Sequence, residues 1–360
     1  MTALLIVTLG LWGVGWLLPG RMKKCGAGTA GDIAAGRLSI IIPARNEEQN
    51  LPTLLRSITA QPVKPREIIV VNDSSTDRTA EMAQQLGAQV VNSRPLPDGW
   101  RGKTWACHQG ARTATGELLL FLDADTWFEP DGLARVLAEF QNSGGGALSV
   151  APYHVVRTFH EQFSAFFNLV MLAGTGAFTV LGDRYLHRGL LGQFLLINRA
   201  AYHRGGGHEA VKGRILENFW LTGQLRSANV PICCRSGRGA FSFRMYPEGW
   251  RQLVEGWTKG FASGAGQAPR TILLLIIAWL GGLVFAPAAV FILGQPLIWL
   301  GAYGLCAAQV TWLLRNTGTF HWLTCIFYPA PLLFFFAVFI RSVFRSGKMV
   351  SWKGREIRAD

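Results

Sequence analysis

Short apolar runs alternate with segments of helical spacing over the first third of the chain. Four apolar runs are predicted to be strands: residues 38–43, 67–72, 89–91 and 118–122. Apolar residues spaced by three and four positions predict three helices between them: from about residue 50, at 79–86 and at about 104–113. This alternation predicts an α/β fold with a mostly parallel sheet covered on both faces. Ligands of such sheets bind at the carboxyl ends of the strands.

Long uncharged stretches lie near both ends of the chain. Residues 2–19 form an apolar run of 18 residues, just long enough to span a bilayer. The run lacks the basic leading region and the cleavage pattern of a removed signal peptide, so we interpret it as a retained anchor. Residues 271–314 carry no charge and have a turn signal at 294–296, which predicts two spans in a hairpin.

Two further apolar stretches are less regular. Residues 322–340 are a candidate third span, but Pro329 and Pro331 would break or kink a helix there. A full crossing and a re-entrant or interfacial segment therefore both remain open. Residues 163–181 contain Asn168 and lie between a strand and further enzyme-like sequence, so we interpret them as an amphipathic or buried helix.

The net charge and the cysteine content limit the cellular location and the binding partners that we expect for this protein. The net charge is +13, and much of it lies beside the apolar stretches, which favours attraction to anionic lipid. No nucleic-acid motif is present, so no nucleic-acid partner is expected. Arg21, Lys23 and Lys24 follow the first span, and the positive-inside rule then places the catalytic domain on the cytoplasmic face of a multi-pass protein of the cell membrane. The six cysteines show no paired spacing, which agrees with a reducing compartment.

These observations divide the chain into four predicted parts. They are an N-terminal membrane anchor at 1–20, a catalytic α/β domain at 36–262, C-terminal membrane spans at 270–341 and a basic tail at 342–360.

Asp123 and Asp125 stand at the end of the fourth predicted strand. Carboxylates at positions i and i+2 of an extended backbone point to the same side. Hard oxygen ligands arranged in this way suit Mg²⁺ or Mn²⁺ that is also bound by a diphosphate.

Four motifs follow the predicted strands in order: P-A-R-N-E at 43–47, V-N-D-x-S-x-D at 71–77, G-K-x-x-A at 102–106 and D-A-D at 123–125. Together they resemble the inverting family 2 glycosyltransferases, which have the GT-A fold and a D-x-D motif. Segments at 205–208, 217–219, 243–249, 256–260 and 264–266 further resemble the family members that glycosylate carotenoid carboxylic acids. The resemblance covers nearly the whole chain, including one N-terminal and two to three C-terminal spans.

The resemblance implies a nucleotide-sugar site made of Pro43, Ala44, Arg45, Glu47, Asp73, Lys103 and Asp123. Asp73 is expected on the uracil ring, Glu47 on the base or ribose, and Lys103 on uridine or phosphate oxygens. Asp125 is expected to be the direct metal ligand, with Asp123 on the ribose or the outer shell of the metal. Each residue also has a structural interpretation: a helix cap for Asp73, a first-turn carboxylate for Glu47 and an ordinary surface cation for Lys103.

Trp257 and Lys259 are similar, in position only, to the Q-x-x-R-W element that contacts the diphosphate in processive relatives. The pentapeptide itself is missing here. His208 is a candidate additional metal ligand, although the family position usually holds an apolar residue. Arg244 is a candidate partner for a carboxylate on the acceptor, with contact to a lipid phosphate as the alternative.

Glu217 and Asn218 depart from the family pattern, in which many members carry Glu-Asp with the Asp as general base. A hydroxyl acceptor must lose a proton as it attacks, and losing the base costs about 10²–10⁴-fold in rate. A carboxylic acid is already ionised near neutral pH, because its pKa is about 4. Asn218 therefore favours a carboxylate acceptor, and the competing interpretation is that Glu217 is itself the base.

The sequence thus predicts inverting transfer of a sugar, glucose by resemblance, from a UDP-sugar to the carboxylate of a carotenoid acid at the membrane. Another lipid-soluble acceptor is the alternative: a polyprenyl phosphate, which also needs no base, a hopanoid or a diacylglycerol. A non-catalytic scaffold is disfavoured because Asp73, Lys103, Asp123 and Asp125 are all present.

Overall fold

A seven-stranded sheet forms the centre of the catalytic domain. The structure is a computed structural model that describes residues 2–26, 35–185, 189–214, 217–264, 268–345, 349–352 and 355–358. The strands are β1 (Leu38–Ala44), β2 (Glu67–Asn72), β3 (Gln89–Asn92), β4 (Leu118–Leu122), β5 (Thr126–Phe128), β6 (Ala147–Ala151), β7 (Tyr153–His154), β8 (Phe194–Asn198), β9 (Ile232–Ser236), β10 (Phe241–Phe243), β11 (Met349–Trp352) and β12 (Arg355–Arg358).

The helices surround this sheet and then continue into an apolar C-terminal part. They are α1 (Thr2–Val14), α2 (Leu51–Thr59), α3 (Thr79–Gln85), α4 (Gly102–Thr113), α5 (Gly132–Asn142), α6 (Ala165–Gly174), α7 (Arg199–Arg204), α8 (Glu217–Ser227), α9 (Trp250–Gly264), α10 (Arg270–Ile292), α11 (Pro296–Thr317), α12 (Trp322–Ile326) and α13 (Pro329–Arg345).

The strand order of the large sheet is β3-β2-β1-β4-β8-β6-β9. The first four strands are mutually parallel, and β8 runs antiparallel to both of its neighbours. Successive residues of β1 enter different cores: Ile40 and Ile42 pack on one face of the sheet and Ile41 packs on the other. Both faces are therefore covered, which confirms the predicted α/β class and mostly parallel sheet.

A second, three-stranded sheet has the order β5-β10-β7. Its first strand, β5, begins directly after Asp125, and β7 ends at His154. His154 lies next to the end of α11, because its carbonyl accepts a hydrogen bond of 2.9 Å from the backbone N–H of Thr319. The small sheet thus connects the end of β4 to the apolar helices.

In the described part of the chain, α10 and α11 are the two helices that are long and apolar enough to cross a membrane. The N-terminal run is helical only over Thr2–Val14, so the helix is shorter than the 18-residue apolar run at 2–19. The membrane anchor stays a prediction. The backbone N–H groups of Gly15, Trp16 and Leu17 each bond to a carbonyl three residues earlier, which tightens the chain into turns before Pro19.

The N-terminal helix packs between the two long helices through buried polar contacts. Gln309 of α11 accepts a hydrogen bond from the indole N–H of Trp279 at 2.9 Å and donates to the carbonyl of Trp12 at 3.0 Å. Since Gln309 is fully buried, these two bonds satisfy an amide that would otherwise be costly to bury.

The candidate third span at 322–340 is two separate helices, α12 and α13, and not one continuous helix. A full crossing and a re-entrant or interfacial segment both stay predictions. Pro329 and Pro331 lie in the first turn of α13, where a backbone N–H has no intrahelical partner to lose, and the helix break falls directly before them at 327–328. The interpretation of 163–181 as a buried helix agrees with α6, whose Asn168 bonds to His154 Nδ1 at 2.7 Å. The division into four parts stays a prediction.

Candidate active site

An open cleft of about 640 Å³ lies at the carboxyl ends of β1, β2 and β4. It is lined by Pro43, Ala44, Arg45, Glu47, Asp73, Lys103, Ala106, Asp123, Ala124 and Asp125. All seven residues expected to bind a nucleotide sugar, and the expected metal ligand, are thus in one cavity. Their individual roles stay predictions.

The loops after β1 and β2 form one wall of this cleft and are bonded to each other. The backbone N–H of Asp73 donates to the carbonyl of Ala44 at 2.8 Å, and Arg45 Nη1 donates to the carbonyl of Asp73 at 2.8 Å. Asn46 and Ser74 adopt left-handed conformations, with φ of 52° and 54°. These contacts hold Asp73, which is 5% exposed, at the bottom of the wall.

Lys103 lies in the first turn of α4 and connects the two carboxylates of the inner cleft. Its Nζ is 2.7 Å from Asp123 Oδ1 and 3.0 Å from Glu217 Oε1, and it donates to the carbonyl of Gly192 at 3.1 Å. The cation therefore joins the end of β4 to the start of α8. It is not an isolated surface lysine.

The charge state of this group follows from burial and from the short distances. Burial acts to lower the pKa of Lys103, but the carboxylates of Asp123 and Glu217 outweigh it and raise that pKa above its usual range. Burial acts to raise the pKa of Glu217, but the charge of Lys103 and the hydrogen bonds to the carboxylate bring it below the usual range. Lys103 is thus a permanent cation at neutral pH and Glu217 a permanent anion.

Asn218 points away from the open cleft towards the segment before β8. Its Nδ2 donates to the carbonyls of Leu191 at 3.0 Å and Gly192 at 3.2 Å. The backbone N–H of Asp123 donates to the carbonyl of Gln193, the next residue of that segment, at 3.2 Å. Asn218 therefore supports the backbone on which both Asp123 and Lys103 rest.

His208 lies behind the cleft, against the ring of Phe121 at 4.7 Å, and is 1% exposed. Its Nδ1 is 2.8 Å from the hydroxyl of Tyr202, and burial lowers its pKa to about 4. Among the residues that the structure describes, no group of three or more His, Cys, Asp or Glu side chains is placed to hold a metal. His208 is therefore not placed to complete a protein-only metal site.

Comparison with known proteins identifies the family. Residues 39–204 match the family model described as glycosyl transferase family 2. The chain is 37% identical over 334 residues to proteins named 4,4'-diaponeurosporenoate glycosyltransferase from Staphylococcus aureus strains USA300 and MRSA252. The alignment with the USA300 protein covers 89% of this chain and 88% of the relative.

The chain belongs to glycosyl transferase family 2. Among solved structures, the mannosyltransferase PcManGT from Pyrobaculum calidifontis superposes with a TM-score of 0.52 at 18% identity, over 95% of this chain and 99% of that one. This similarity concerns the fold and confirms the predicted GT-A architecture. The protein is accordingly a glycosyltransferase.

The structure of this family 2 enzyme does not place Trp257 in the cleft. Trp257 is 1% exposed, stacks on Phe167 with ring centroids 4.8 Å apart, and donates from its indole N–H to Ser164 Oγ at 3.1 Å. Trp257 is therefore not placed to reach a diphosphate in the cleft, because α9 packs this face against the apolar helices, and its expected role on the diphosphate or acceptor side stays a prediction. Lys259, two residues further along α9, does not line the cleft either.

Arg244 lies beside the cleft for a reason that the sequence did not show. In the antiparallel pairing of β10 with β5, Phe243 lies opposite Thr126. Arg244 follows Phe243 and Asp125 precedes Thr126, so the two residues leave the sheet at the same end. The guanidinium of Arg244 is held by Glu161, with Nε and Nη2 at 2.8 Å and 2.7 Å from Oε1.

Glu161 is a fully buried carboxylate that sequence reasoning missed. Burial acts to raise its pKa, but hydrogen bonds from the backbone N–H groups of Arg157 and Thr158 and from Arg244 lower it below the usual range. No local signal identifies it, because its partner Arg244 is 83 residues away.

Proposed function

We propose that this enzyme transfers a sugar, glucose by resemblance, from a UDP-sugar to the carboxylate of a carotenoid acid such as 4,4'-diaponeurosporenoate. A carboxylate oxygen attacks the anomeric carbon from the face opposite the leaving group. The bond from that carbon to the diphosphate oxygen breaks, and its electron pair leaves with UDP. The product is a glycosyl ester of inverted configuration, and no proton has to move.

The observation that carries this proposal is the arrangement of Glu217 and Asn218. Glu217 is paired with Lys103 at 3.0 Å, and that cation lowers its pKa and its basicity. Asn218 donates its amide hydrogens to two backbone carbonyls and has no basic atom to offer. An acceptor that arrives already ionised does not need a base at these positions.

The donor is proposed to bind along the wall formed by the loops after β1 and β2. Asp73 accepts from the uracil ring, and Glu47 contacts the base or ribose. Lys103 and Arg45 are the cations in the cleft that can face phosphate oxygens. PcManGT was solved in complex with GDP-Man and Mn²⁺, so a relative of the same fold binds a nucleotide sugar.

A divalent ion, Mg²⁺ or Mn²⁺, fits the cleft if the donor supplies most of its ligands. Asp125 lines the cleft, whereas Asp123 Oδ1 is engaged by Lys103 at 2.7 Å. One or two carboxylates plus substrate phosphates are a usual ligand set for such ions. When bound, the ion would neutralise negative charge on the departing diphosphate. Asp125 is proposed as its direct protein ligand, with Asp123 on the ribose or in the outer shell.

The acceptor is proposed to approach from the side of Arg244, which can pair with a carboxylate through guanidinium N–H groups not directed at Glu161. We assign no role to Lys259, which does not line the cleft. The two long apolar helices support a location in the cell membrane, and the basic residues after α1 support a catalytic domain on the cytoplasmic face.

The test uses membranes that contain the enzyme, radiolabelled UDP-glucose and either Mg²⁺ or Mn²⁺. Three acceptors are supplied separately: 4,4'-diaponeurosporenoate, its alcohol analogue and a polyprenyl phosphate. We expect an alkali-labile labelled ester from the acid and background label from the alcohol. Label on the polyprenyl phosphate alone would keep the fold and the donor but remove the carotenoid assignment.

Asp125→Asn defines the background in this assay and is itself a prediction. It should lower transfer to the acid by about 10²–10³-fold, the usual cost of losing one electrostatic stabiliser of the transition state. Asp98→Asn is the matched control, since Asp98 is exposed and outside the cleft, and should retain the parent rate. Equal rates for parent and Asp125→Asn would contradict the proposed metal ligand.

A further inference from the structure

Four aromatic side chains form a surface where the catalytic domain meets the apolar helices. This aromatic surface consists of Phe159, Phe163, Trp250 and Phe334. Phe163 contacts Phe159, Trp250 and Phe334 with ring centroids 5.5, 4.9 and 5.3 Å apart, and Trp250 is 5.7 Å from Phe334. Three segments that are distant in sequence thus contribute to one cluster: the short helix at 160–164, the start of α9, and α13.

The aromatic surface is open to its surroundings. Phe159 is 74% exposed and Trp250 is 44% exposed, which is unusual for large apolar side chains that already contact one another. Leu333, beside Phe334 on α13, is 64% exposed, so the apolar surface continues onto that helix. At its edge, Arg251 forms an exposed ion pair with Glu255 at 3.1 Å, so the edge is polar.

The aromatic surface is connected to the active site by short contacts. Glu161, which holds Arg244, belongs to the same short helix as Phe163. The next residue back, His160, is 2.9 Å from the carbonyl of Tyr246 through Nε2 and 6.1 Å from the ring of Trp250. Tyr246 also packs on Trp257 of α9, with ring centroids 5.4 Å apart. An apolar end and a cationic end are thereby joined within one small region.

We propose that the aromatic surface binds the apolar chain of the acceptor while Arg244 receives its carboxylate. This inference rests on the proposed function and adds where the long chain lies. The occupant is a carboxylic acid with a long unsaturated hydrocarbon chain. Its two chemical parts match an exposed aromatic cluster and the guanidinium of Arg244, whose backbone follows β10 where Asp125 precedes β5. It arrives along the exposed apolar side of α13 from the bilayer.

The length of the acceptor's hydrocarbon chain distinguishes a role of the aromatic surface in acceptor binding from a general role in folding. Phe159→Ser and Trp250→Ser each remove one exposed ring, so neither should unfold the enzyme. Each should raise the KM for 4,4'-diaponeurosporenoate by about tenfold, the equivalent of burying one aromatic side chain. The KM for UDP-glucose and the rate with a short, water-soluble unsaturated carboxylic acid should stay at the parent values.

Phe291→Ser is the matched control, because Phe291 is 89% exposed and lies in the last turn of α10, outside the aromatic surface. Its acceptor KM should equal that of the parent. An equal KM rise in Phe291→Ser, or an equal loss with the short acid, would overturn the proposal. So would parent kinetics in both aromatic variants.

A photocrosslinking measurement tests where the acceptor binds without any need for catalysis. Benzoylphenylalanine is placed at position 159 or 291, and labelled 4,4'-diaponeurosporenoate is photocrosslinked in membranes without UDP-sugar. We expect label at position 159 and background at 291. Crosslinking at 159 without any transfer would support the aromatic surface while the proposed reaction failed. Equal label at both positions would indicate simple partition from the bilayer and overturn the proposal, as would crosslinking of phospholipid alone.

Discussion

The donor cleft and the aromatic surface handle charge in different ways. In the donor cleft Lys103 is shared between two carboxylates: Asp123 lines the cleft, and Glu217 is buried behind it. Beneath the aromatic surface, one fully buried carboxylate, Glu161, is dedicated to one cation, Arg244. The first arrangement can exchange partners when a charged substrate enters. The second fixes the direction of a guanidinium and leaves the exposed contacts to apolar rings.

The two regions also differ in what supports them. The donor cleft rests on strand ends within the large sheet, whereas the acceptor side rests on contacts between the catalytic domain and the apolar helices. The hydroxyl of Tyr153 donates to the carbonyl of Gly318 at 2.8 Å, and the backbone N–H of Val156 donates to Thr319 Oγ1 at 2.8 Å. The end of α11 is thus fixed to the small sheet, whose first strand follows Asp125 directly. Donor binding should therefore tolerate changes in the apolar helices better than acceptor binding.

The largest expected effect comes from removing the cation in each region. Lys103→Met leaves Asp123 and Glu217 facing each other and should raise the KM for the UDP-sugar, with a rate loss of about 10²–10³-fold. It should also cost about 2–3 kcal/mol in the free energy of unfolding, which is below the range for fully buried pairs because Lys103 and Asp123 are 28% and 27% exposed. Transfer kinetics and thermal unfolding in detergent measure both effects.

Arg244→Met is the matched variant in the other region, and it should raise the KM for the carotenoid acid while leaving the KM for the donor unchanged. If Lys103→Met and Arg244→Met both changed the same KM, the division into a donor side and an acceptor side would be wrong.

Adding Glu217→Gln to Lys103→Met should recover part of the lost stability, because it removes one of the two facing charges.

A smaller effect is expected from Asn218→Asp, which restores the family's usual carboxylate. Asn218 donates to the carbonyls of Leu191 and Gly192, and an ionised Asp has no hydrogen to donate. We expect the free energy of unfolding to fall by about 1–3 kcal/mol, the cost of leaving buried polar groups unpaired. Transfer to the acid should fall, and transfer to the alcohol analogue should stay at background. A gain of activity on the alcohol would show that a base at this position is sufficient.

Much of the donor cleft could be predicted from the sequence, because most of its residues end an apolar run or follow one directly. Asp73 and Asp123 end strands whose hydrophobic pattern is local, and parallel strands bring their ends to one edge. Lys103 was expected near phosphate oxygens, but its ion pairs were not, since Glu217 lies 114 positions further along the chain.

The acceptor side could not be predicted in this way. Phe159, Trp250 and Phe334 come together only through the packing of three distant segments. Trp257 was misplaced because motif position was given more weight than helical spacing. Leu253, Trp257 and Phe261 recur every four residues and are all buried, so their spacing already indicates the inner face of α9.

The smallest expected effect concerns two histidines, one in each region. Burial lowers the pKa of His154, at the end of β7, and of His208, behind the donor cleft, to about 4 each. For His154 the neighbouring Glu161 acts in the opposite direction, and Arg244 acts with burial. In the unfolded chain each histidine has its ordinary pKa near 6.5. As the pH falls below about 7, the unfolded state therefore binds protons that the folded state does not bind, and folding becomes less favourable. Each histidine should then cost about 1 kcal/mol of stability between pH 7.5 and pH 6.

His154→Gln and His208→Gln should each remove about 1 kcal/mol of this pH dependence. A smaller slope should remain, because burial also lowers the pKa of His108. Thermal unfolding at the two pH values is the measurement. Gln can still accept the hydrogen bond that Asn168 donates to His154 Nδ1 at 2.7 Å, so the contact with α6 is kept. The window lies above the ordinary pKa of Asp and Glu, which therefore contribute little to the slope. A slope unchanged in His154→Gln but reduced in His208→Gln would show that the histidine behind the donor cleft excludes the proton and His154 does not. The junction with the apolar helices would then admit water to its histidine.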